Sequence, residues 1–87
     1  LPSIDLVTPN GDGINDTWVI QDVQNFYGFS VSIYDSSGGR IYYKKDSYDN
    51  SWDGRTDSKK LPTGTYYYLL KNSATGKSYS GTISLFN

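Results

Sequence analysis

Short runs in which apolar and polar residues alternate, turn formers recurring about every 8–12 residues, and the lack of any useful length of helical periodicity predict an all-β fold. Six or seven short strands can be read along the chain, and their spacing points to an antiparallel immunoglobulin-like β-sandwich. The aromatic content agrees with that reading. Hydrophobic residues make up only 36% of the chain, but nine Tyr, three Phe and two Trp supply large side chains. Tyrosine and tryptophan bury much area while keeping a polar tip, which suits a small sandwich with half-wet faces. There is no cysteine, so the disulfide-and-tryptophan hallmark of antibody domains is missing and the expectation concerns architecture alone.

Taken in order, residues 3–7 alternate weakly and fit a first edge strand. A polar loop over residues 8–16 follows. Thr17-Trp18-Val19-Ile20-Gln21 is rich in β-branched and aromatic residues and reads as a strand. Residues 22–28 hold turn formers with Phe26 and Tyr27, a loop expected to lay one ring on the core. Residues 29–35 alternate cleanly, with Phe29, Val31 and Ile33 on one face. Ser36-Ser37-Gly38-Gly39 supplies a hairpin turn, and residues 40–44 return as a strand.

Residues 45–60 are polar around a lone Trp52, which we expect to plug one end of the core. Leu61-Pro62-Thr63-Gly64 turns the chain into residues 65–71, apolar or aromatic on both faces and hence expected at the centre of a sheet. A loop over 72–77 leaves Gly76 for a positive φ. The last strand covers residues 78–86, with Tyr79, Gly81, Ile83 and Leu85 facing one way.

Eighty-seven residues predict one domain, 1–87, which buries roughly 60–65% of its unfolded surface. The chain begins at Leu1 and contains no Met, as expected of a segment cut from a longer polypeptide. A net charge of −1 argues against nucleic acid, which needs a clustered positive field. No apolar run approaches the ~20 residues of a membrane-spanning helix, so no membrane insertion is expected. The pairs Lys44-Lys45 and Lys59-Lys60 lie beside acids and read as solvated loops.

The chemistry-bearing stretch is Thr8-Pro9-Asn10-Gly11-Asp12-Gly13-Ile14-Asn15-Asp16. Pro9 fixes its own φ, and Gly11 and Gly13 permit positive φ, so the stretch is a tight loop lined with oxygens. Calcium loops place oxygens at alternate positions, with a glycine after the third and a backbone carbonyl next. That pattern puts Thr8 first, then Asn10, Asp12, Gly13, the Ile14 carbonyl and Asp16, a candidate calcium site built on Asn10, Asp12, Ile14 and Asp16. Threonine stands where an aspartate usually does, and Val19 falls where a bidentate glutamate would close the site. The simpler account of the same residues is a loop whose Asn and Asp side chains bond their own backbone as Asx turns.

Catalysis has little support. With no His and no Cys, the commonest general base and the thiolate nucleophile are missing. Nothing in the sequence brings Asp53 beside Asp12 or Asp16 as a carboxylate pair, and the chain is not expected to be an enzyme. The aromatics Trp18, Trp52, Tyr42, Tyr43, Tyr66, Tyr67 and Tyr68 could make a sugar-stacking platform, although tyrosines alternating in strands more often pack the core or across strands.

Several blocks in fixed order resemble the gliding-motility-associated C-terminal domain, the type B sorting domain of the bacterial type IX secretion system. Residues 8–16 match its opening signature, through Thr8, Pro9, Asn10, Gly11, Asp12, Gly13, Asn15 and Asp16, and Thr17-Trp18 continue it. Val31-Ser32-Ile33-Tyr34-Asp35 matches a strand of the family. Trp52-Asp53-Gly54 matches its Trp-Asp-Gly, Leu61-Pro62-Thr63-Gly64-Thr65-Tyr66-Tyr67-Tyr68 matches its Leu-Pro-x-Gly-Thr-Tyr-Tyr-Tyr, and Gly81-Thr82-Ile83 matches the closing strand. Trp-Asp-Gly followed by Pro-x-Gly-x-Tyr also occurs in other bacterial immunoglobulin-like modules, such as that of the flagellar hook-capping protein, so the specificity lies in the ordered set. One departure is the turn after Asp35, where the family commonly has Arg-Trp-Gly and this chain has Ser36-Ser37-Gly38-Gly39.

The resemblance implies a non-catalytic C-terminal sorting domain that directs a secreted or cell-surface protein, such as a gliding adhesin, through periplasm and outer membrane. Its implied partners are the outer-membrane translocon with its associated components and the cargo protein on its N-terminal side. Trp52, Asp53, Gly54, Pro62, Gly64 and Tyr66 join the opening loop as implied recognition residues. The alternative is a generic immunoglobulin-like adhesion or carbohydrate-binding module without a sorting role.

Overall fold

The computed structural model describes residues 3–4, 6–9, 11, 13, 15–56 and 59–86. In these the chain forms β1 (Ser3–Ile4), β2 (Leu6–Val7), β3 (Val19–Ile20), β4 (Ser30–Tyr34), β5 (Arg40–Lys44), β6 (Arg55–Thr56), β7 (Lys59–Lys60), β8 (Gly64–Lys71) and β9 (Ser78–Leu85), with one 3₁₀ turn at Val23–Phe26. Five strands build one sheet in the order β2-β9-β8-β4-β5. β1 pairs with β3 and β6 with β7 as two short two-stranded sheets. The all-β sandwich expected from the sequence is therefore present, with one full layer and one reduced layer. Nine described strands replace the expected six or seven because five of them are two residues long and too short to show a period.

β8 is central, as expected, and pairs along its whole length with β9, from Gly64 opposite Leu85 to Lys71 opposite Ser78. Its other edge meets β4 from Tyr34 opposite Tyr67 to Ser30 opposite Lys71. Alternation sends Tyr66, Tyr68 and Leu70 inward, while Tyr67 remains 46% exposed on the outer face. The aromatic run thus marks a central strand whose outer side stays wet, which tyrosine tolerates through its hydroxyl.

One described pair departs from the antiparallel expectation. β2 lies parallel to β9, Leu6 opposite Ser84 and Val7 opposite Leu85, so the main sheet is mixed. The entering chain pairs antiparallel with β3 through Ser3 and Ile4, then joins the other sheet at Leu6, where the free edge of β9 runs the same way. The Phe86 N–H continues the pairing by donating to the Val7 carbonyl at 2.9 Å.

The hairpin between β4 and β5 is shaped by Asp35. Its carboxylate accepts the Ser37 hydroxyl at 2.7 Å and the N–H groups of Gly39 and Ser37 at 2.9 and 3.0 Å. These bonds, the Ser37 hydroxyl foremost, hold the Asp35 carboxyl below the usual carboxylate range. The stabilisation they give is present at neutral pH and lost as pH falls through the depressed pKa.

The core is formed by Val7, Trp18, Ile20, Phe29, Val31, Ile33, Tyr48, Trp52, Tyr66, Tyr68, Leu70, Ile83 and Leu85. Trp52 is buried as expected, its ring 6.4 Å from that of Tyr42 and 6.2 Å from that of Tyr66. Phe26 is the one ring of its loop that packs on the core, and Tyr27 stays largely exposed. The strand expected over residues 17–21 shrinks to Val19–Ile20, because the Trp18 N–H donates to the Trp52 carbonyl at 2.8 Å.

Tyr48, in the middle of the polar stretch, is fully buried. Its hydroxyl donates to the Trp18 carbonyl at 2.7 Å and accepts the Trp52 N–H at 3.2 Å. The Asn50 side-chain oxygen accepts the Ile20 N–H at 2.8 Å beside it. Two irregular segments thirty residues apart are thereby joined through side chains where no ladder exists. Burial pushes the Tyr48 phenol well above its ordinary pKa, so the hydroxyl keeps its proton and remains a donor.

Tyr48→Phe keeps the ring and removes the bridge, leaving a buried carbonyl and a buried N–H each short of a partner. Urea unfolding should show a loss of about 1–3 kcal/mol. A loss within about 0.3 kcal/mol of zero would show that the bridge does not hold the two segments.

Candidate functional site

Strand register places four loops at one end of the main sheet. Val7 on β2 and Gly64 on β8 flank Leu85 of β9 from its two sides, and Tyr34 opposite Tyr67 brings the 35–39 turn to the same end. The opening loop leaves from Val7, the Leu61-Pro62-Thr63-Gly64 turn enters β8, and the Trp52-Asp53-Gly54 block comes in from the reduced layer.

Leu85 is the point at which these segments meet. Gly54 is buried with φ 79°, and a Cβ built on it would stand 2.6 Å from Leu85 Cδ1. A side chain there would need both a disfavoured backbone conformation and a displaced Leu85. The Leu61 N–H donates to the Gly54 carbonyl at 2.9 Å, tying the second block to the third. Inside the third block the Tyr66 hydroxyl donates to the Pro62 carbonyl at 2.6 Å, and Tyr66 is buried. That bond fixes the shape of the turn four residues upstream. Burial raises the Tyr66 pKa, so it too acts as a protonated donor.

The opening loop is closed by the Thr8 N–H, which donates to the Asn15 carbonyl at 2.7 Å. Gly11 and Gly13 are exposed at φ 79° and 80°, and Asn15 is also left-handed at φ 53°. The Asp16 carboxylate reaches back across the loop. One oxygen accepts the Gly13 N–H at 2.8 Å and the other the Gly11 N–H at 3.1 Å. Pro9 is partly buried beside it. Of the candidate calcium ligands, Asn10, Asp12 and Ile14 lie outside the described residues. Among the described residues no three carboxylate, His or Cys side chains gather in one place. Asp53 is half-exposed, 3.9 Å from the Arg55 guanidinium, a surface contact of small energetic weight.

Between the 35–39 turn and the Leu61-Pro62-Thr63-Gly64 turn lies a cleft of about 290 Å³, walled by Asp35, Ser37, Leu61, Pro62, Gly64 and Tyr66. Sequence reading did not foresee that these two turns share a cleft. Their approach depends on β4 pairing with β8, which nothing in the residue types or spacing of either turn signals. Of the aromatics considered as a stacking platform, Trp18, Trp52, Tyr66 and Tyr68 are buried in the core and Tyr42 is partly buried. Tyr43 and Tyr67 remain exposed.

Calcium on the opening loop is a proposal that melting curves decide. A bound ion with Kd of about 0.1–1 mM would add roughly 1.4–2.7 kcal/mol of stability at ten millimolar calcium, several degrees in Tm for a chain this small. Asp16→Ala should remove that response and, with chelator present, should also lower stability by about 1–2 kcal/mol through the two lost amide contacts. Identical curves for the unmutated chain with calcium and with chelator would leave Asp16 as a backbone cap alone.

No curated protein matches this chain. Among solved structures the chain is similar to PorZ, an essential bacterial surface component of the type-IX secretion system of Porphyromonas gingivalis. The TM-score is 0.59 at 22% identity, over 69% of this chain and 8% of PorZ. At that identity the likeness shows a shared fold, and the chain spans a small fraction of PorZ's length. The model of the CHU_C type IX secretion signal domain matches residues 1–85, the stretch that holds all the sequence blocks described above. This chain belongs to the family of type IX secretion signal domains.

Proposed function

We propose that this domain is the folded C-terminal address of a secreted or cell-surface protein, a gliding adhesin being one such cargo, and that the outer-membrane translocon and its associated components read the loop end of the sheet. The cargo precedes the domain in the chain and leaves the cell through periplasm and outer membrane. The reading is non-catalytic: the domain presents a surface and transforms nothing.

One observation carries the proposal. Blocks that are far apart in sequence come to one end of the main sheet: Gly54 and Gly64 both meet Leu85, and the 8–16 loop leaves from Val7, opposite Leu85. Much of what these blocks contribute is backbone shape, through Gly54 against Leu85, Tyr66 on Pro62 and Asp16 on Gly11 and Gly13. A short linear signal would need no such scaffold. A folded label does, because its recognition surface exists only when the turns are held together. The 35–39 turn belongs to that surface although it lacks the family's usual Arg-Trp pair. Its shape comes from Asp35, which does not need either residue.

Fusion of residues 1–87 to a periplasm-targeted fluorescent reporter tests the proposal in a host with and without the secretion system. Reporter should reach the cell surface or medium only when the translocon is intact. Gly54→Ala, which strains the junction at Leu85, should lower export in the intact host. Equal export in a translocon-null host would sink the sorting role.

A further inference from the structure

The end of the sheet opposite the signature loops carries a second cleft, of about 470 Å³, within the range of small-ligand sites. It lies beside Lys71, while the signature turns lie beside Gly64. Seven strand steps of roughly 3.3 Å separate these residues by about 23 Å. Tyr27 and Tyr43 line it, 46% and 50% exposed, together with Lys45, Lys71, Asp46 and two serines. The walls are tied in place. The Ser47 N–H donates to the Tyr27 carbonyl at 2.9 Å, and the Ser30 hydroxyl donates to the Lys71 carbonyl at 3.3 Å.

None of these side chains has a role in the core. Neither lysine has an ion-pair partner among the described residues. The Arg40 guanidinium lies 4.5 Å from the centre of the Tyr43 ring and brings a third cation to the neighbourhood. Against these stands one acid in the lining, Asp46, although the chain as a whole is net negative.

We propose that this cleft binds an acidic saccharide, a pyranose chain bearing carboxylates, independently of the sorting role. The exposed Tyr27 ring, and the side of the Tyr43 ring away from Arg40, offer flat faces to the C–H surface of a pyranose. The Ser73 hydroxyl can exchange hydrogen bonds with sugar hydroxyls, and the Ser30 hydroxyl, already donating to the Lys71 carbonyl, can accept one. Lys45 and Lys71 would hold carboxylates by charge-assisted hydrogen bonds. An acidic peptide would meet the same lysines, but its Asp and Glu side chains bring neither the hydroxyls that the serines can bond nor the flat C–H face that the tyrosine rings can stack on. The lining therefore favours the sugar.

The test is titration of the 87-residue chain with hexagalacturonate at low salt, by calorimetry and by chemical-shift mapping. A neutral cellulose hexamer and hexaglutamate serve as comparison ligands. Hexagalacturonate should shift the resonances of Tyr27 and Tyr43 and should weaken as salt rises. The neutral hexamer should bind at least about tenfold more weakly, as should hexagalacturonate with the Lys45→Glu/Lys71→Glu double variant, two charge-assisted contacts being at stake. Asp46→Asn should tighten binding, because it removes the one acid in the lining. All the altered side chains are exposed, and thermal melting confirms that each variant is folded. No shifts at about millimolar hexagalacturonate, undiminished binding by the double variant, or equal affinity for hexaglutamate would each overturn the proposal.

Discussion

The structure depends on a place where a side chain is missing. Gly54 presses its bare Cα against Leu85, and Leu85 is flanked by Val7 on one strand and Gly64 on another. The reduced layer can approach the sheet there only because nothing projects from Gly54, and its φ of 79° is one that an L side chain rarely adopts. From that contact follow the Leu61 hydrogen bond to Gly54 and the entry of the chain into its central strand. The signature turns acquire a common orientation because they share this fixed point.

The second constraint is the supply of backbone partners in the half of the molecule that has almost no strands. Residues 17–20 and 48–52 cover the inner face of the sheet without a full ladder, yet the backbone groups of the buried Trp18, Ile20 and Trp52 need partners. The Tyr48 hydroxyl and the Asn50 side chain supply them, and Trp18 bonds Trp52 directly. A thin core can then be closed by two indoles and a phenol, whose area replaces the aliphatic residues this sequence lacks. The order of the loop end thus rests on side-chain hydrogen bonds as much as on burial.

The four long strands, β4, β5, β8 and β9, were legible because alternating, β-branched or aromatic residues run through each for five residues or more, and the shorter runs at 3–7 and 17–21 marked where β1, β2 and β3 lie. The Asp35 turn was legible because Gly38 and Gly39 announce it. Tyr48 was not, since Lys45, Asp46, Ser47 and Asp49 surround it and its partners lie thirty residues away. The parallel edge was equally hidden. Val7 beside Leu85 is a long-range pairing that no local pattern encodes. In the opening loop, tightness and positive φ at Gly11 and Gly13 were legible from residue type, and the reach of Asp16 to both amides agrees with an Asx-type loop. The family blocks could be aligned in one dimension, but their convergence at one end appears only once β2, β8 and β9 are placed in register.

Site-specific photo-crosslinking during export tests the central claim, that the secretion machinery reads the turns at this end. A crosslinking amino acid at exposed Thr63 samples the signature end, and one at exposed Thr75 samples the opposite end, both within the same cargo fusion. The account predicts outer-membrane translocon adducts from position 63 and none from position 75. Adducts from position 75 alone, or equal yields from both ends, would contradict it.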